Sequence, residues 1–301
     1  MPGRRLVTDI IDSPAAQIEP VATPPEVAYY RTLDQIATGG PGPIMAIGGA
    51  EDKVRNKLIL TAFHALAGGL DARIAIVPTA SSIEDAGERY KALFLEMGAA
   101  SADVISLSDR ADANEPSAAE IIRGATGVFM TGGNQMRLAA IVGGSLVAKA
   151  VHERQTAGAV IAGTSAGASI LSSHMVAFGS SGASPKMRMA QMTAGFGLIP
   201  DTIVDQHFRQ RDRFGRLMAL VAASPALLGV GVDEDTAAMF RNDGMLEVLG
   251  RQTVTIVDGT HMESDVFRVK GHQPITVANA IVHILASGRQ FDTRSRKMIV
   301  A

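Results

Sequence analysis

The feature that most constrains the fold of this chain is an alternation of short apolar runs with longer segments of helical pattern, which begins near residue 44. The apolar runs have the length of strands and lie at residues 44–47, 73–77, 103–107, 127–130 and 159–162. The segments between them predict helices near residues 52–67, 83–97, 118–123 and 135–142. Because strands that alternate with helices form a mostly parallel sheet with helices on both faces, the sequence predicts an α/β fold.

The pattern changes after residue 168. A helix is predicted from about residue 209 to residue 223, and further strands are predicted at residues 229–232, 237–240, 245–249 and 253–257. The Asn-Asp-Gly sequence at residues 242–244 favours a hairpin turn between two of these strands. A segment rich in Ala and Ile at residues 277–286 predicts a last helix. We therefore expect additional C-terminal strands beside the parallel sheet.

Residues 1–43 differ from the rest of the chain because prolines interrupt them repeatedly. Their pattern accommodates one short helix near residues 26–37. We interpret this segment as an N-terminal extension that precedes a single α/β catalytic domain at residues 44–301.

Composition excludes several classes of function. The chain has 301 residues, of which 47% are hydrophobic, and its formal net charge is -2. It therefore has enough apolar residues for a sizeable core and no overall charge that would attract nucleic acid or an anionic membrane. It contains no cysteine, which excludes disulfides, thiolate zinc sites and a cysteine nucleophile.

The N-terminus has no continuous apolar region followed by a small-residue cleavage site, so we expect a cytoplasmic protein. The longest later apolar stretch is residues 217–232. Ser224, Pro225 and Gly229 interrupt it, which makes it unsuitable as a membrane span.

Four polar or glycine-rich turns follow the carboxyl ends of predicted strands. They lie at residues 48–52, 79–82, 131–135 and 163–167. Ligands of doubly wound sheets bind at this edge, so we expect one active-site crevice there. None of these turns matches a phosphate-binding loop or the dinucleotide fingerprint, and we predict no cofactor.

A candidate nucleophile lies in the last of these turns. The sequence Gly-Thr-Ser-Ala-Gly at residues 163–167 follows an apolar strand, which is typical of a serine on a sharp strand-to-helix turn. Such a turn exposes the hydroxyl of Ser165 and offers the N–H of Ala166 to a developing oxyanion. The alternative is a chance match in a chain with 31 glycines.

A serine nucleophile needs a base, and the chain has seven histidines. His64 and His283 fall in apolar segments predicted to be helical, where a histidine is usually a packed or partly exposed residue. His207 is different because it lies among polar residues where an apolar stretch ends. The alternative is that His207 is a bystander on a solvated basic helix.

A carboxylate that orients the histidine is expected in the Gly-Val-Asp-Glu-Asp-Thr segment at residues 231–236. Neighbouring residues of a strand face opposite sides, so Glu234 points away from Asp233 and Asp235. Sequence alone leaves open which side faces the crevice. No histidine lies at ligand spacing beside these acids, and we predict no metal site.

Five motifs together resemble the cyanophycinases, serine peptidases of the peptidase E-like group. They are GGAEDK at 48–53, TGGNQ at 131–135, GTSAGA at 163–168, DQHF at 205–208 with the arginines that follow, and GVDEDT at 231–236. The resemblance covers about residues 44–257 and leaves the N-terminal extension outside. It implies a fold like that of the class I glutamine amidotransferases, which is flavodoxin-like, and a homodimer.

The resemblance also implies the roles of individual residues. Ser165 would be the nucleophile, His207 the base and Glu234 the orienting acid, in a chain order that differs from that of α/β-hydrolases. The N–H groups of Gly133 and Ala166 would form the oxyanion hole.

The substrate implied by the resemblance is cyanophycin, a poly-aspartate with arginine joined to each side chain, which the family degrades to β-Asp-Arg dipeptides. On a helix that begins near His207, three arginines would share a face and could bind substrate carboxylates. The candidate substrate-binding residues are Arg209, Arg213 and Arg216 on that face, Arg211 elsewhere, and Gln135, Asp205 and Gln206. The alternative for the arginines is surface pairing with acids such as Asp212.

Three other functions are alternatives to the degradation of cyanophycin. One is a peptidase E-like exopeptidase acting on short Asp-containing peptides. Another is an esterase of the α/β-hydrolase type that pairs Ser165 with a late histidine such as His261 or His272. The third is an amidotransferase-like binding module without catalysis.

Overall fold

The computed structural model describes residues 40–299. Its largest element is a nine-stranded sheet. Five strands pair in parallel: β1 Ile44–Ile47, β2 Arg73–Val77, β3 Ser101–Val104, β4 Gly127–Met130 and β5 Val160–Thr164. Four more extend the sheet in antiparallel fashion from β1: β10 Thr236–Phe240, β11 Met245–Gly250, β16 Gln290–Asp292 and β17 Lys297–Ile299. The order across the sheet is β17-β16-β11-β10-β1-β5-β4-β2-β3.

Helices and a second sheet cover the two faces of this sheet. Helices α1 Leu58–Leu66 and α2 Ala86–Glu96 pack on one face around Phe63, Phe94 and Phe129. The other face carries four helices, whose apolar residues join the largest core cluster of the protein. These are α3 Pro116–Gly124, α4 Gln135–Val142, α5 Leu146–Thr156 and α6 Ala166–Ser169. The α/β fold with a parallel sheet covered on both faces is therefore confirmed.

The second sheet has four strands, β8 Thr202–Asp205, β9 Leu228–Val232, β12 Thr253–Asp258 and β15 Ile281–Ala286. Their order is β15-β12-β9-β8, and the sheet packs on the same face as helices α3 to α6. In β9 the valines point into the common core, while the glycines face Phe208 and helix α7 Phe214–Ala223. A side chain on either glycine would collide with that layer, which explains the Gly-Val-Gly-Val pattern.

Smaller elements complete the described chain. A hairpin of β6 His174–Gly179 and β7 Ala190–Ala194 follows the Ser165 turn. Strands β13 Glu263–Ser264 and β14 Val277–Ala278 form a two-stranded ladder. Two 3-10 turns lie at Gly69–Asp71 and Asp112–Asn114. In the part of the chain that the structure describes, no helix is long and apolar enough to cross a membrane.

The helices predicted at residues 277–286 and from residue 52 differ from the structure. The last helix, at residues 277–286, is wrong, because this segment forms strands β14 and β15 and β15 pairs with β12. Its apolar run is rich in β-branched residues that suit a strand. The helix predicted from residue 52 begins only at Leu58, because the Asp52 carboxylate accepts the N–H groups of residues 54–56 and holds them in a turn. The helix suggested near residues 26–37 lies outside the described residues.

Candidate active site

Ser165 lies on a sharp turn between β5 and α6. Its backbone has φ 53° and ψ -111°, a strained conformation for a residue with a side chain, which costs about 1–3 kcal/mol. Gly163 and Gly167 make the turn possible, since a Cβ on Gly163 would lie 2.1 Å from the carbonyl oxygen of Gly167. The flanking glycines are therefore required by close backbone approach.

His207 follows strand β8 of the second sheet and reaches Ser165 across the boundary between the sheets. Its Nε2 atom lies 2.9 Å from Ser165 Oγ. Its backbone N–H donates to Gly48 O at 2.8 Å. The ring lies against Gly49, where an added Cβ would be 2.3 Å from His207 Cε1. Only glycine at residue 49 leaves room for the imidazole.

Glu234 follows strand β9 and faces the other side of the imidazole. Its Oε1 atom lies 2.6 Å from His207 Nδ1. The neighbouring acids are engaged elsewhere: Asp233 accepts the N–H of Arg209 at 3.0 Å, and Asp235 accepts the N–H of Asp52 at 2.8 Å. The acid that faces His207 is therefore Glu234, a choice that the sequence pattern left open.

The electrostatic surroundings of His207 favour its neutral form. Burial lowers the pKa of the imidazole below its ordinary value, and the positive charges of Arg211 and Arg213 lower it further, while the Glu234 carboxylate opposes them. A neutral imidazole has a free lone pair on Nε2 when Nδ1–H donates to Glu234. This is the state in which His207 can accept a proton from Ser165.

We expect the acid limb of the kcat/KM profile to have its midpoint below the unperturbed histidine value of 6.5, because protonation of His207 removes the base. Replacing Arg211 with Gln removes a nearby positive charge, so the midpoint should move to higher pH. Arg209→Gln is the matched control, since Arg209 is also exposed but has less effect on this pKa than Arg211. Initial rates from pH 4 to pH 9 measure both effects. A wild-type midpoint above 6.5 would contradict this assignment.

The two candidate oxyanion donors lie on adjacent turns. Gly133 has φ +142°, and a Cβ there would be 1.9 Å from Ala80 O. A Cβ added to the neighbouring Gly132 would lie 3.1 Å from the Cβ of Ser165. Ala166 is the first residue of α6 and is buried. Within residues 40–299 the N–H groups of Gly133 and Ala166 donate no hydrogen bond.

The arginines after His207 do not share a helix face, and that prediction is wrong. Helix α7 begins at Phe214, and the preceding residues form turns. Asp205 is fully buried. Both of its carboxylate oxygens accept hydrogen bonds from Arg216, one of them at 2.6 Å, and the carboxylate also accepts from Arg213 at 3.4 Å. Burial lowers the pKa of Arg213 to about 10. Arg209 and Arg211 remain exposed.

The two glutamines have different surroundings. The side-chain amide of Gln135 donates to Val176 O at 3.2 Å and to Ala177 O at 2.8 Å, so it holds the β6–β7 hairpin. Gln206 Oε1 lies 3.4 Å from Ser165 Oγ, and its backbone carbonyl accepts from Arg213. Gln206 is thus the nearer of the two to the nucleophile.

Among residues 40–299, no group of three or more His, Cys, Asp or Glu is arranged to hold a metal ion.

Comparison with known proteins places this site in a family. A model of peptidase family S51 matches residues 44–248. The cyanophycinase of Synechococcus elongatus is 39% identical over 289 residues, which cover 95% of this chain and 87% of that protein. The cyanophycinase of Trichormus variabilis is 42% identical, and the match covers 86% of this chain and 88% of that protein. The cyanophycinase of Geminocystis herdmanii is 41% identical, and the match covers 84% of this chain and 94% of that protein.

The match with the Synechococcus protein is too long to lie within residues 44–301 alone. It includes part of the N-terminal extension, so the expectation that this segment lies outside the resemblance is wrong for that relative. A solved peptidase from an acI-B1 Actinobacterium has a TM-score of 0.59 at 23% identity, covers 81% of this chain and 98% of its own, and shares the fold. From the family match and these relatives together, the chain belongs to peptidase family S51.

Proposed function

We propose that this peptidase is a cyanophycinase, a serine-type exopeptidase that hydrolyses the poly-aspartate backbone of cyanophycin to β-Asp-Arg dipeptides. The observation that carries the proposal is the 2.9 Å contact between Ser165 Oγ and His207 Nε2, backed by Glu234 at 2.6 Å. The three relatives named as cyanophycinases support the choice of substrate.

The reaction proceeds through an acyl-enzyme. Ser165 Oγ attacks a backbone carbonyl of the aspartyl chain while His207 Nε2 takes the hydroxyl proton, and Glu234 stabilises the imidazolium. The N–H groups of Gly133 and Ala166 donate to the oxyanion. His207 then gives its proton to the leaving amine as the peptide bond breaks. Water, deprotonated by His207, attacks the ester, and Ser165 recovers its proton as the product acid leaves.

The charges beside the site suit a substrate that carries carboxylates. Asp205 lies between two buried arginines, so this cluster has a net positive charge at the base of the His207 turn. Arg209 and Arg211 add two exposed positive charges on the same turn. In our proposal these exposed guanidinium groups bind free carboxylates of the polymer by paired hydrogen bonds. Gln206 contacts an amide of the bound chain.

Assembly and location belong to the same proposal. The resemblance to the cyanophycinases implies a homodimer in the cytoplasm. Light scattering after size-exclusion chromatography measures the assembly, and a mass of one chain would refute the dimer.

The substrate is tested by incubating the purified protein separately with cyanophycin and with α-Asp dipeptides, and identifying the products by mass spectrometry. We expect β-Asp-Arg from the polymer and little cleavage of the dipeptides. Ser165→Ala protein treated in the same way controls for contaminating peptidases. Cleavage of the dipeptides without cleavage of the polymer would instead support a peptidase E-like exopeptidase.

A further inference from the structure

The polar turn between β1 and α1, residues 48–53, carries a glutamate that the proposed reaction does not use. Glu51 is only 3% exposed, although it lies in a segment whose sequence is typical of a surface turn. A buried carboxylate is costly unless it is hydrogen-bonded or paired. Its partners therefore show what it does.

The Glu51 carboxylate has three partners, of which Lys53 lies in the same turn and the other two lie far away in the sequence. Oε2 accepts from the Thr164 hydroxyl at 2.6 Å. Oε1 accepts from the Tyr90 hydroxyl on α2 and lies 2.8 Å from Lys53 Nζ. Burial and the negative charge of Glu51 raise the pKa of Tyr90, so the phenol keeps its proton and donates. All three partners donate to the carboxylate, and the Lys53 ammonium is a group that can only donate.

Thr164 is the residue immediately before the nucleophile. It is the last residue of β5 and pairs with Ile47 at the end of β1. The next peptide N–H, that of Ser165, donates to Ile47 O at 2.9 Å. Glu51 thus fixes the side chain of the residue that leads into the strained backbone of Ser165. Strained conformations persist only where surrounding contacts define them fully.

The same turn also contacts the segments that carry the other two residues of the triad. Gly48 O accepts the N–H of His207 at 2.8 Å, and Gly49 O accepts the N–H of Asp235 at 2.9 Å. Asp235 directly follows Glu234 in the chain. One short turn therefore contacts all three segments from which the candidate triad comes, and Glu51 is its only side chain that reaches β5 among the described contacts.

We propose that Glu51 is a positioning residue, which holds Thr164 and through it keeps Ser165 Oγ at hydrogen-bond distance from His207. It touches neither substrate nor reacting atoms. The inference rests on Ser165 being the nucleophile, and it does not depend on the identity of the substrate.

The test compares Glu51→Gln, Thr164→Val and Thr164→Ser with the wild type. Glu51→Gln replaces one of the two acceptor oxygens with an amide NH₂ and removes the charge that pairs with Lys53, and Thr164→Val removes the hydroxyl. Both should lower kcat by about 10²-fold with KM within about threefold, because small misplacements of a reacting group cost about this much. Thr164→Ser keeps the hydroxyl and should restore most of kcat. Since the two changes break one contact, the double variant should lose no more of kcat than the slower of the two single variants.

A second measurement separates this inference from the choice of substrate. The rate at which a serine-directed phosphonofluoridate labels Ser165 should fall in parallel with kcat, with no substrate present. Wild-type labelling rates in Glu51→Gln and Thr164→Val would overturn the inference even if cyanophycin is cleaved. Reduced labelling in a protein that does not cleave cyanophycin would support it and reject only the proposed substrate.

Tyr90→Phe is the matched control. It removes a hydrogen bond from the same carboxylate but leaves the link to Thr164 intact. We expect a lower melting temperature with a labelling rate within about threefold of the wild type. If Tyr90→Phe slows labelling as much as Thr164→Val does, the effect is general loss of packing and the positioning role is wrong. If Glu51→Gln does not fold, the comparison of Thr164→Val with Thr164→Ser tests the inference.

Discussion

Replacing Ser165 with Ala is expected to lower kcat for the polymer by about 10⁶-fold. The change removes the only atom that forms a bond to the substrate in the proposed reaction. The fold should be unaffected, because the Ser165 hydroxyl contacts only His207 and Gln206 among the described residues. A rate about 10³ to 10⁴ times that in water should remain, from binding and the oxyanion donors. Release of β-Asp-Arg from cyanophycin, followed by mass spectrometry, measures the loss.

Ser173→Ala is the control for this experiment. Ser173 lies shortly after the same turn, is half-buried, and its hydroxyl contacts a backbone carbonyl at 3.4 Å. Its replacement should leave kcat within about threefold of the wild type. A Ser165→Ala protein that clears cyanophycin at a near wild-type rate would show that the nucleophile is another group.

The second large effect is expected for His207→Ala, which should also lower kcat by about 10⁶-fold. The serine hydroxyl attacks an amide only when a neighbouring base removes its proton, and His207 Nε2 lies 2.9 Å away. Because nucleophile and base act as one unit, the double variant should be about as slow as either single variant. Single-turnover rates with cyanophycin measure the chemical step without product release.

The late histidines provide the comparison. His261 and His272 are exposed, and neither contacts Ser165 among the described residues. Their replacement with Ala should leave the rate unchanged. If His207→Ala remains active and one of these two variants is inactive, the esterase arrangement with a late histidine would be correct.

Local sequence pattern predicts the parallel half of the fold well. Strands Ile44–Ile47, Arg73–Val77 and Gly127–Met130 and helix Gln135–Val142 have the bounds that their apolar runs and flanking glycines predict. The helix is begun by Asn134, whose side chain accepts two backbone N–H groups of the first turn. Elements of this kind are defined by neighbours in the sequence, so the sequence is sufficient to find them.

The elements that sequence reasoning missed depend on distant partners. Residues 281–286 are apolar without a clear period, and only pairing with β12 makes them a strand. Arg213 and Arg216 look like surface charges, but burial around Asp205 places them inside. Glu51 gives no local sign of being buried, because the two hydroxyl groups that donate to it lie 39 and 113 residues further along the chain. In each case the local sequence did not identify the distant partner that determines the structure.

The candidate triad is divided between two layers of the protein. Ser165 follows strand β5 of the large sheet, whereas His207 and Glu234 follow strands β8 and β9 of the small one. Neither sheet alone holds a complete set of reacting groups, so the rate of hydrolysis depends on the position of the two sheets relative to each other. Heat or denaturant that shifts the small sheet by about one ångström should lower turnover by about 10²-fold while the large sheet is still intact. The enzyme would then lose activity before the circular-dichroism signal of its helices falls, and so before it unfolds.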